Sequence, residues 1–310
     1  MALSARAEKW SFIVAGDGRT NPHADPGDID QTGINTHVFT NLLQAVQQDA
    51  SHPRFLLYSG DLVLGTNAAV KASLPEQFET WKKLAGAGLP GLPVYPVRGN
   101  HEIYGDPNGS LWLTEFKPLI DNNHVMYLPG EEGFSYYFFP PCVSNAVVIA
   151  LDQFQPANMD RINLGGLGNA LKDAKARGAG HIFVFAHEMA FTCTSHSDSE
   201  NMAAHPADRD KFLELLKDYG CQYFFAGHDH AYDWMTIQHT NWPADYTLNQ
   251  IVCGTAGAPF YQDKGYFGDH GGFNLTRLDH KQKTYGYLRV VVDDEAVTNQ
   301  VSVTFVTVKP

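Results

Sequence analysis

Five short apolar runs in this chain each stop abruptly at an Asp, Asn or His, and this repeated design constrains the fold more than any other feature. The runs with their polar ends are 12–17, 55–61, 94–102, 181–187 and 221–230. Each run is too short for a helix, and glycine usually precedes the polar residue, which is typical of a buried strand that leaves its sheet through a tight turn. In open α/β sheets, ligands bind beyond the carboxyl ends of the strands. The sequence therefore predicts five strands that bring polar side chains to one edge.

The polar residues at these strand ends carry oxygen and nitrogen donors. They are Asp17, Asp61, Asn100 with His101, His187, and His228 with His230. A mixture of carboxylate, amide oxygen and imidazole suits Mn, Fe, Zn or a similar ion rather than a thiolate site. Two histidines that lie two residues apart, as at His228 and His230, can serve two neighbouring ions. We therefore predict a metal site at this edge.

Amphipathic helices are predicted between the strands. One helix is capped by Thr36, one opens near Pro75, one covers 164–177, and one is capped by Asp208. From Gly272 onward the apolar pattern alternates, notably over 288–292 and 301–308, which indicates antiparallel strands. Because strands and helices alternate without a repeat or a linker, we expect residues 1–310 to form a single α/β domain with layered sheets.

Composition limits the class of partner. The net charge of −12 argues against a general nucleic-acid binder or a binder of anionic membranes, because both need a basic surface. A small phosphate substrate is still allowed, because bound metal cations can dominate the field inside a site. No apolar stretch approaches the length of a membrane span. Residues 1–10 lack the apolar core of a signal peptide, so the protein is expected to be soluble, and either cytoplasmic or, if a leader was removed, periplasmic or secreted.

The four cysteines do not indicate a compartment. Cys142, Cys193, Cys221 and Cys253 are widely spaced and include no C-x-x-C pair. Their even number allows one or two disulfides, and four free buried thiols are an equal alternative.

The five blocks, written out, resemble a known family. GDGR at Asp17, GDLV at Asp61, GNHE at Asn100, AHE at His187 and GHDH at His228 follow the order of calcineurin-like metallophosphoesterases. The motifs GNHE and GHDHAY are similar to the corresponding motifs of the purple acid phosphatase branch. This resemblance spans residues 12–232. It implies a four-layer α/β/β/α sandwich of two mixed sheets flanked by helices, which is an α/β fold.

The resemblance also implies roles for the site residues. Asp61 would bridge two divalent or trivalent ions of the Fe, Mn or Zn type, with Asn100, His187 and His228 completing one site and Asp17 with His230 completing the other. A hydroxide at this dinuclear site would attack a small-molecule phosphoric ester, and His101 would protonate the leaving oxygen or stabilise the transition state. Asp61 and His101 are thus the expected catalytic residues. Phosphomonoesters are favoured, and diesters of nucleotides or phospholipids are the alternative.

Two positions depart from the family pattern. Arg19 stands where the family often has a metal-binding histidine, and Leu64 stands where the purple acid phosphatases have a tyrosine. Arg19 could bind a substrate phosphate together with Asn100 and His101, or it could form a structural salt bridge to a loop aspartate. The departures also leave a third hypothesis open, a non-catalytic phosphate- or metal-binding relative with an incomplete first metal site.

Several neighbouring residues receive structural interpretations. Arg98 is expected in an ordinary ion pair, with phosphate binding as the alternative. Asp152 is expected in a turn or as a hydrogen-bond acceptor, with a role as a sixth site residue as the alternative. Tyr232 is expected in the packed core or lining the pocket. Glu102 and Glu188 are expected to orient histidines, and Asp229 to point away from the metals. His196 and His205 lie in a polar loop, where substrate contact and an ordinary loop role are both open.

Overall fold

The computed structural model describes residues 9–141, 143, 145–156, 159–195, 202–266, 270–296 and 300–310. Its strands are β1 Lys9–Ala15, β2 Leu56–Tyr58, β3 Val94–Pro96, β4 Met126–Tyr127, β5 Tyr136–Phe138, β6 Ala146–Ala150, β7 His181–Phe185, β8 Tyr223–Ala226, β9 Tyr232–His239, β10 Leu248–Cys253, β11 Phe273–Lys281, β12 Gly286–Asp293 and β13 Val301–Thr307. Its α-helices are α1 Thr36–Gln47, α2 Leu74–Gly88, α3 Ser110–Glu115, α4 Lys117–Asp121, α5 Leu164–Ala176 and α6 Pro206–Asp218.

The strands form two mixed sheets. Sheet A has the order β13-β12-β1-β2-β3, and sheet B has the order β11-β9-β10-β8-β7-β6-β5-β4. In sheet A, β1, β2 and β3 are parallel, while β12 and β13 add antiparallel pairs. In sheet B, β6, β7, β8 and β10 are parallel, with antiparallel strands on both sides. The predicted strands over 288–292 and 301–308 are therefore present and complete sheet A.

Aromatic side chains fill the space between the sheets. Phe12 on β1 meets Phe183 on β7 with ring centroids 5.0 Å apart, and it meets Phe225 on β8 at 6.0 Å. Both contacts are edge to face, a geometry that contributes about 0.5–1.5 kcal/mol beyond the area buried. These contacts join sheet A to sheet B.

Helices cover the two outer faces of the sandwich. Trp81 of α2 packs on Tyr58 of sheet A with ring centroids 5.1 Å apart. Phe212 of α6 packs on Phe224 of sheet B, also at 5.1 Å. The four-layer α/β/β/α arrangement expected from the resemblance is confirmed.

Two helix starts differ from prediction. Asn35, not Thr36, caps α1, because its side chain accepts a hydrogen bond from Val38 N (3.3 Å). The Thr36 hydroxyl donates instead to Asp30 Oδ2 (2.5 Å). Helix α6 begins at Pro206, ahead of the predicted cap at Asp208. Proline suits this first position because its missing N–H has no partner there in any case.

Three of the four cysteines lie in the described part of the chain. Cys193, Cys221 and Cys253 are buried free thiols, so the hypothesis of disulfides does not apply among them. Cys142 lies outside the described residues. Among the described helices, none combines the length and the apolar character that crossing a bilayer requires.

Candidate metal centre

The predicted ligands follow the carboxyl ends of strands from both sheets. Asp17, Asp61 and Asn100 come after β1, β2 and β3 of sheet A, whereas His187 and His228 come after β7 and β8 of sheet B. Main-chain hydrogen bonds tie these loops together: the Asp17 N–H donates to Gly60 O (3.0 Å) and the Gly227 N–H donates to His187 O (2.8 Å). The site therefore lies where the edges of the two sheets meet, and not at the edge of one sheet.

Four of the predicted ligands converge on one point, which we call position 2. His187 Nε2 lies 3.1 Å from Asn100 Oδ1, 3.1 Å from His228 Nδ1 and 3.4 Å from Asp61 Oδ1. Donor atoms on a tetrahedral ion with bonds of about 2.1 Å are about 3.4 Å apart. The three distances from His187 Nε2 therefore match those between ligands of a single metal ion.

Hydrogen bonds fix the imidazoles in the form that a metal needs. His187 Nδ1 donates to Ser59 O (2.7 Å), and His230 Nδ1 donates to Pro259 O (2.5 Å). A carbonyl can only accept, so each Nδ1 carries a proton and each Nε2 turns its lone pair to the site. Burial lowers the pKa of His187, which favours the neutral ring. His187 Nε2 and the oxygens of Asn100 and Asp61 are thus electron-pair donors facing one another, an arrangement that a shared cation stabilises.

A second group, position 1, consists of Asp17, His230 and the other oxygen of Asp61. Asp17 Oδ1 lies 3.4 Å from His230 Nε2, again a ligand-to-ligand distance. Arg19 Nε lies 3.4 Å from Asp61 Oδ2. Position 1 thus has three candidate ligands with a guanidinium beside one of them.

The two aspartates have opposite pKa shifts. Burial, and after it the charge of Asp61, raises the pKa of Asp17 well above its usual range. Burial also raises the pKa of Asp61, but the nearby His101 and His187 outweigh it, and the pKa of Asp61 is lowered. Two buried carboxylates repel each other unless a cation lies between them. The pair therefore fits the metal that the donor set indicates.

The backbone at the ligands is held in an uncommon conformation. Asp17, Asp61 and His228 have φ values of 64°, 50° and 67°, in the left-handed region that non-glycine residues seldom adopt. The preceding Gly227 provides close approach and not the turn itself: a Cβ there would lie 2.3 Å from Asp17 Oδ2. A Cβ at Gly99 would lie 2.2 Å from Asp61 Oδ1. Both glycines are needed because a carboxylate packs against their Cα.

Arg19 forms the predicted salt bridge to a loop aspartate, and its partner is Asp61, one of the predicted ligands. The guanidinium is buried, and besides its ion pair with Asp61 it donates hydrogen bonds to Tyr261 Oη (3.2 Å) and Thr20 O (3.4 Å). Tyr261 also stacks on His230, with ring centroids 4.3 Å apart and an interplanar angle of 17°. Sequence reasoning missed Tyr261. The signal available in the sequence was the apolar run 250–253 followed by a glycine-containing loop, the same design as at the other strand ends; in the structure β10 is parallel to β8, so this loop reaches the same edge.

The neighbouring residues divide between confirmed and corrected interpretations. Arg98 forms the predicted ion pair, with Asp152 at 2.6 Å. Asp229 points away from the ligands and accepts from Thr194 Oγ1 (2.6 Å). Tyr232 is buried and stacks on Phe305, as a packed aromatic does.

Glu102 does not orient a histidine. Its carboxylate accepts from the main-chain N–H groups of Gly99 (2.6 Å), Asp61 (2.9 Å) and Val63 (3.2 Å), so it holds two ligand loops together. For Glu188, the largest influences are burial and then Asp160, which raise its pKa well above its usual range. His205 precedes α6 and contacts Arg161. His196 lies outside the described residues.

Known proteins similar to this chain indicate its family and its fold. The family model of the calcineurin-like phosphoesterases matches residues 23–232, a stretch that begins after Asp17 and Arg19. The manganese-dependent ADP-ribose/CDP-alcohol diphosphatase of Bos taurus is 32% identical over 114 residues, which are 34% of this chain and 32% of that protein. The chain thus spans about a third of the length of this curated relative.

Two solved structures share the fold. The purple acid phosphatase PPD1 from yellow lupin (Lupinus luteus) seeds has a TM-score of 0.62 and 14% identity, over 94% of this chain and 50% of that one. PhoD has a TM-score of 0.59 and 10% identity, over 96% of this chain and 68% of that one. At these identities the likeness concerns the fold alone.

Proposed function

This chain belongs to the calcineurin-like phosphoesterase family, and we propose that it is a phosphoric ester hydrolase that acts on phosphomonoesters at a dinuclear metal site. The observation that carries the proposal is the convergence of six metal donors from loops of both sheets: Asp17, Asp61, Asn100, His187, His228 and His230. A purely structural cluster would not need His187 Nε2 to face the electron-pair donors Asn100 Oδ1 (3.1 Å) and Asp61 Oδ1 (3.4 Å).

The donors would hold two ions, with Asp61 contributing to both. Asn100, His187 and His228 would hold one with Asp61, and Asp17 and His230 would hold the other. When bound, two such ions of the Fe, Mn or Zn type acidify water and neutralise charge on the phosphoryl group. Asp61 keeps the low pKa that this bridging role requires.

We assign Arg19 to the phosphoryl oxygens of the substrate. Its Nε faces Asp61 Oδ2 at 3.4 Å and its Nη2 faces Tyr261. The orientation of the guanidinium is therefore fixed before substrate binds. A planar guanidinium suits bidentate contact with phosphate.

His101 is assigned to the leaving oxygen. Its Nδ1 donates to Leu64 O (2.7 Å), which leaves Nε2 directed toward the site, 3.9 Å from Asp61 Oδ2. Burial lowers the pKa of His101 to about 4, so the ring is neutral near pH 7 in the free protein. A negatively charged ester raises that pKa on binding, and the protonated Nε2 can then donate to the leaving group.

A second candidate function is cleavage of diesters or diphosphates of nucleotides. The relative from Bos taurus favours it, because that protein is named for ADP-ribose and CDP-alcohol. A third candidate, a binding protein with an incomplete position 1, is favoured by Arg19 and Leu64.

One assay separates the three candidates. Purified protein, with its metal content measured, is tested with p-nitrophenyl phosphate, bis(p-nitrophenyl) phosphate and ADP-ribose, with and without added Mn²⁺ or Zn²⁺. We expect the monoester to have the highest kcat/KM. A preference for bis(p-nitrophenyl) phosphate or ADP-ribose would transfer the assignment to the second candidate. Failure to turn over any of the three with any metal would leave the binding protein.

A further inference from the structure

Tyr104 is a large aromatic residue at the surface beside the metal centre. It is 46% exposed, and in the described part of the chain only Leu278 among the other large apolar residues is comparably exposed. An isolated exposed aromatic residue is ordinary on a protein surface. Its meaning therefore depends on what it contacts.

Tyr104 contacts two residues of the site. Its ring meets the imidazole of His101 edge-on, with centroids 5.0 Å apart and an interplanar angle of 68°. Its hydroxyl accepts a hydrogen bond from Asn100 Nδ2 (3.3 Å). Because His101 is the residue assigned to the leaving oxygen, a ring that packs against His101 lies on the leaving-group side.

The main chain holds Tyr104 in this place. The Tyr104 N–H donates to His101 O (3.2 Å), and the Tyr104 carbonyl accepts from Thr66 N (2.7 Å). The loop at Gly65 packs closely on this segment, since a Cβ there would lie 2.2 Å from His101 O. An aromatic ring that is already fixed loses little conformational freedom when a ligand stacks on it.

On the basis of the proposed function, we infer that Tyr104 is a specificity-determining residue whose exposed ring stacks on an aromatic ring of the leaving group. The substrate class is a phosphate ester whose alcohol carries a flat aromatic ring. That ring is either an aryl group on the ester oxygen or a nucleobase one sugar away. The hydroxyl of Tyr104 is engaged by Asn100, so the exposed ring is the part that recognises the substrate.

Two matched pairs of monoesters test the inference. One pair is phenyl phosphate and cyclohexyl phosphate, and the other is adenosine 5′-monophosphate and ribose 5-phosphate. The kcat/KM of each ester is measured in the wild type, Tyr104→Leu and Tyr104→Phe. We expect Tyr104→Leu to lower the aromatic-to-non-aromatic ratio roughly three- to tenfold in at least one pair, and Tyr104→Phe to keep it. Intrinsic reactivity cancels because the same esters are compared in each variant.

The pair of esters whose kcat/KM ratio falls in Tyr104→Leu identifies whether the aromatic ring of the substrate is attached to the ester oxygen or lies one sugar away. An unchanged ratio in both pairs overturns the inference. An equal fall for both members of each pair also overturns it, because Tyr104 would then act through Asn100. Circular dichroism and metal content verify that Tyr104→Leu is folded and loaded.

The inference and the proposed function can fail separately. If the wild type hydrolyses none of the four esters with any metal, the proposed function fails. Binding of phenylphosphonate and cyclohexylphosphonate, measured by calorimetry, then tests Tyr104 without turnover. Tighter binding of phenylphosphonate that is lost in Tyr104→Leu supports the inference, and equal affinities in both proteins overturn it.

Discussion

Among single residues, Arg19 most clearly distinguishes this site from the family pattern. The chain places a guanidinium beside Asp61 Oδ2 (3.4 Å), where the pattern often has a metal-binding histidine. Tyr261 accepts from the same guanidinium and also stacks on His230. The positive charge is therefore built into position 1 and held by a residue outside the five sequence blocks.

Replacing Arg19 tests its assignment to substrate phosphate. We expect Arg19→Gln to raise KM for a phosphomonoester roughly ten- to a hundredfold, because a charge-assisted hydrogen bond to phosphate is lost. The kcat should change less. Steady-state kinetics measures both, and Arg177→Gln is the matched control, because Arg177 is an exposed arginine directly after α5 that forms an ion pair with Asp173.

Tyr261→Phe separates the guanidinium from its support. This variant keeps the ring that stacks on His230 and removes the hydroxyl that accepts from Arg19. We expect a smaller rise of KM in the same direction. An unchanged KM in Arg19→Gln would contradict the phosphate contact and would leave the ion pair with Asp61 as the role of Arg19.

The sequence was informative about residues that end strands and less so about residues that support them. Asp17 and Asp61 follow apolar runs directly, so the rule for strand ends finds them. Tyr261 lies farther along its loop, and its partners come together only through tertiary packing. Glu102 was recognised as a supporting residue, but its hydrogen bonds to main-chain groups leave no trace in the spacing of residues.

Between elements, Glu102 joins the loops that follow β2 and β3. Its Oε2 accepts from the N–H groups of both Gly99 and Asp61.

Glu102→Gln would place an amide where a carboxylate accepts three N–H bonds, and at least one donor would face another donor. We expect metal affinity to fall about ten- to a hundredfold, as for other residues that support metal ligands. Calorimetric titration with Mn²⁺ measures the affinity, and Glu79→Gln, at an exposed glutamate, is the control. Equal affinities in the wild type and Glu102→Gln would show that Glu102 does not support the metal ligands.

Helix α1 is fastened to sheet A through Asp49, which follows the end of the helix. Asp49 accepts from Arg289 Nη2 and Tyr287 Oη on β12, both at 2.7 Å. Burial raises the pKa of Asp49, but the hydrogen bonds from Arg289 and Tyr287 outweigh it and bring the pKa to about 2. A pKa below the unfolded value means that the contribution to stability is present above about pH 4 and is lost as pH falls toward 2.

Asp49→Asn should therefore lower the free energy of unfolding by about 1–2 kcal/mol at pH 7, a value reduced for the partial exposure of Arg289. Urea denaturation of both proteins between pH 7 and pH 2.5 measures the difference, which should shrink as the wild-type carboxylate becomes protonated. A difference that stayed constant with pH would show that packing, and not the charge of Asp49, stabilises this contact.

The exact starts of the helices could not be predicted from the local sequence. Asn35 and Thr36 are both good caps, and the choice between them depends on Asp30, which accepts from the Thr36 hydroxyl. Proline at 206 similarly moves the start of α6 ahead of Asp208. Helix propensity therefore locates the start of a helix only to within a few residues, and a single local contact decides the exact position.

For the whole molecule, the positions of the strands along the sequence were predictable, but the sheet to which each strand belongs was not. Apolar runs indicate strands, but they do not indicate which strands pair, because pairing depends on contacts between distant segments such as β1 with β12. We propose that residues 1–310 act as one domain, because these C-terminal strands pair with the N-terminal strand in sheet A. The five strand ends are shared between two sheets, so the metal centre is itself a contact between them.

That arrangement predicts a link between metal binding and global stability. Asp61 and Asn100 follow strands of sheet A, and His187 and His228 follow strands of sheet B, so an ion held at position 2 would join the two sheets. A ligand at a hundred times its Kd stabilises the folded state by about 2.7 kcal/mol, which is about 4 °C in Tm for a chain of this size. Chelation should lower Tm by at least this amount, and added Mn²⁺ should restore it. In Asp61→Asn, chelation should change Tm little, whereas the exposed control Asp121→Asn should behave as the wild type does. A wild-type Tm that did not respond to chelation, in protein shown to have lost its metal, would mean that the sheets hold together without the ions.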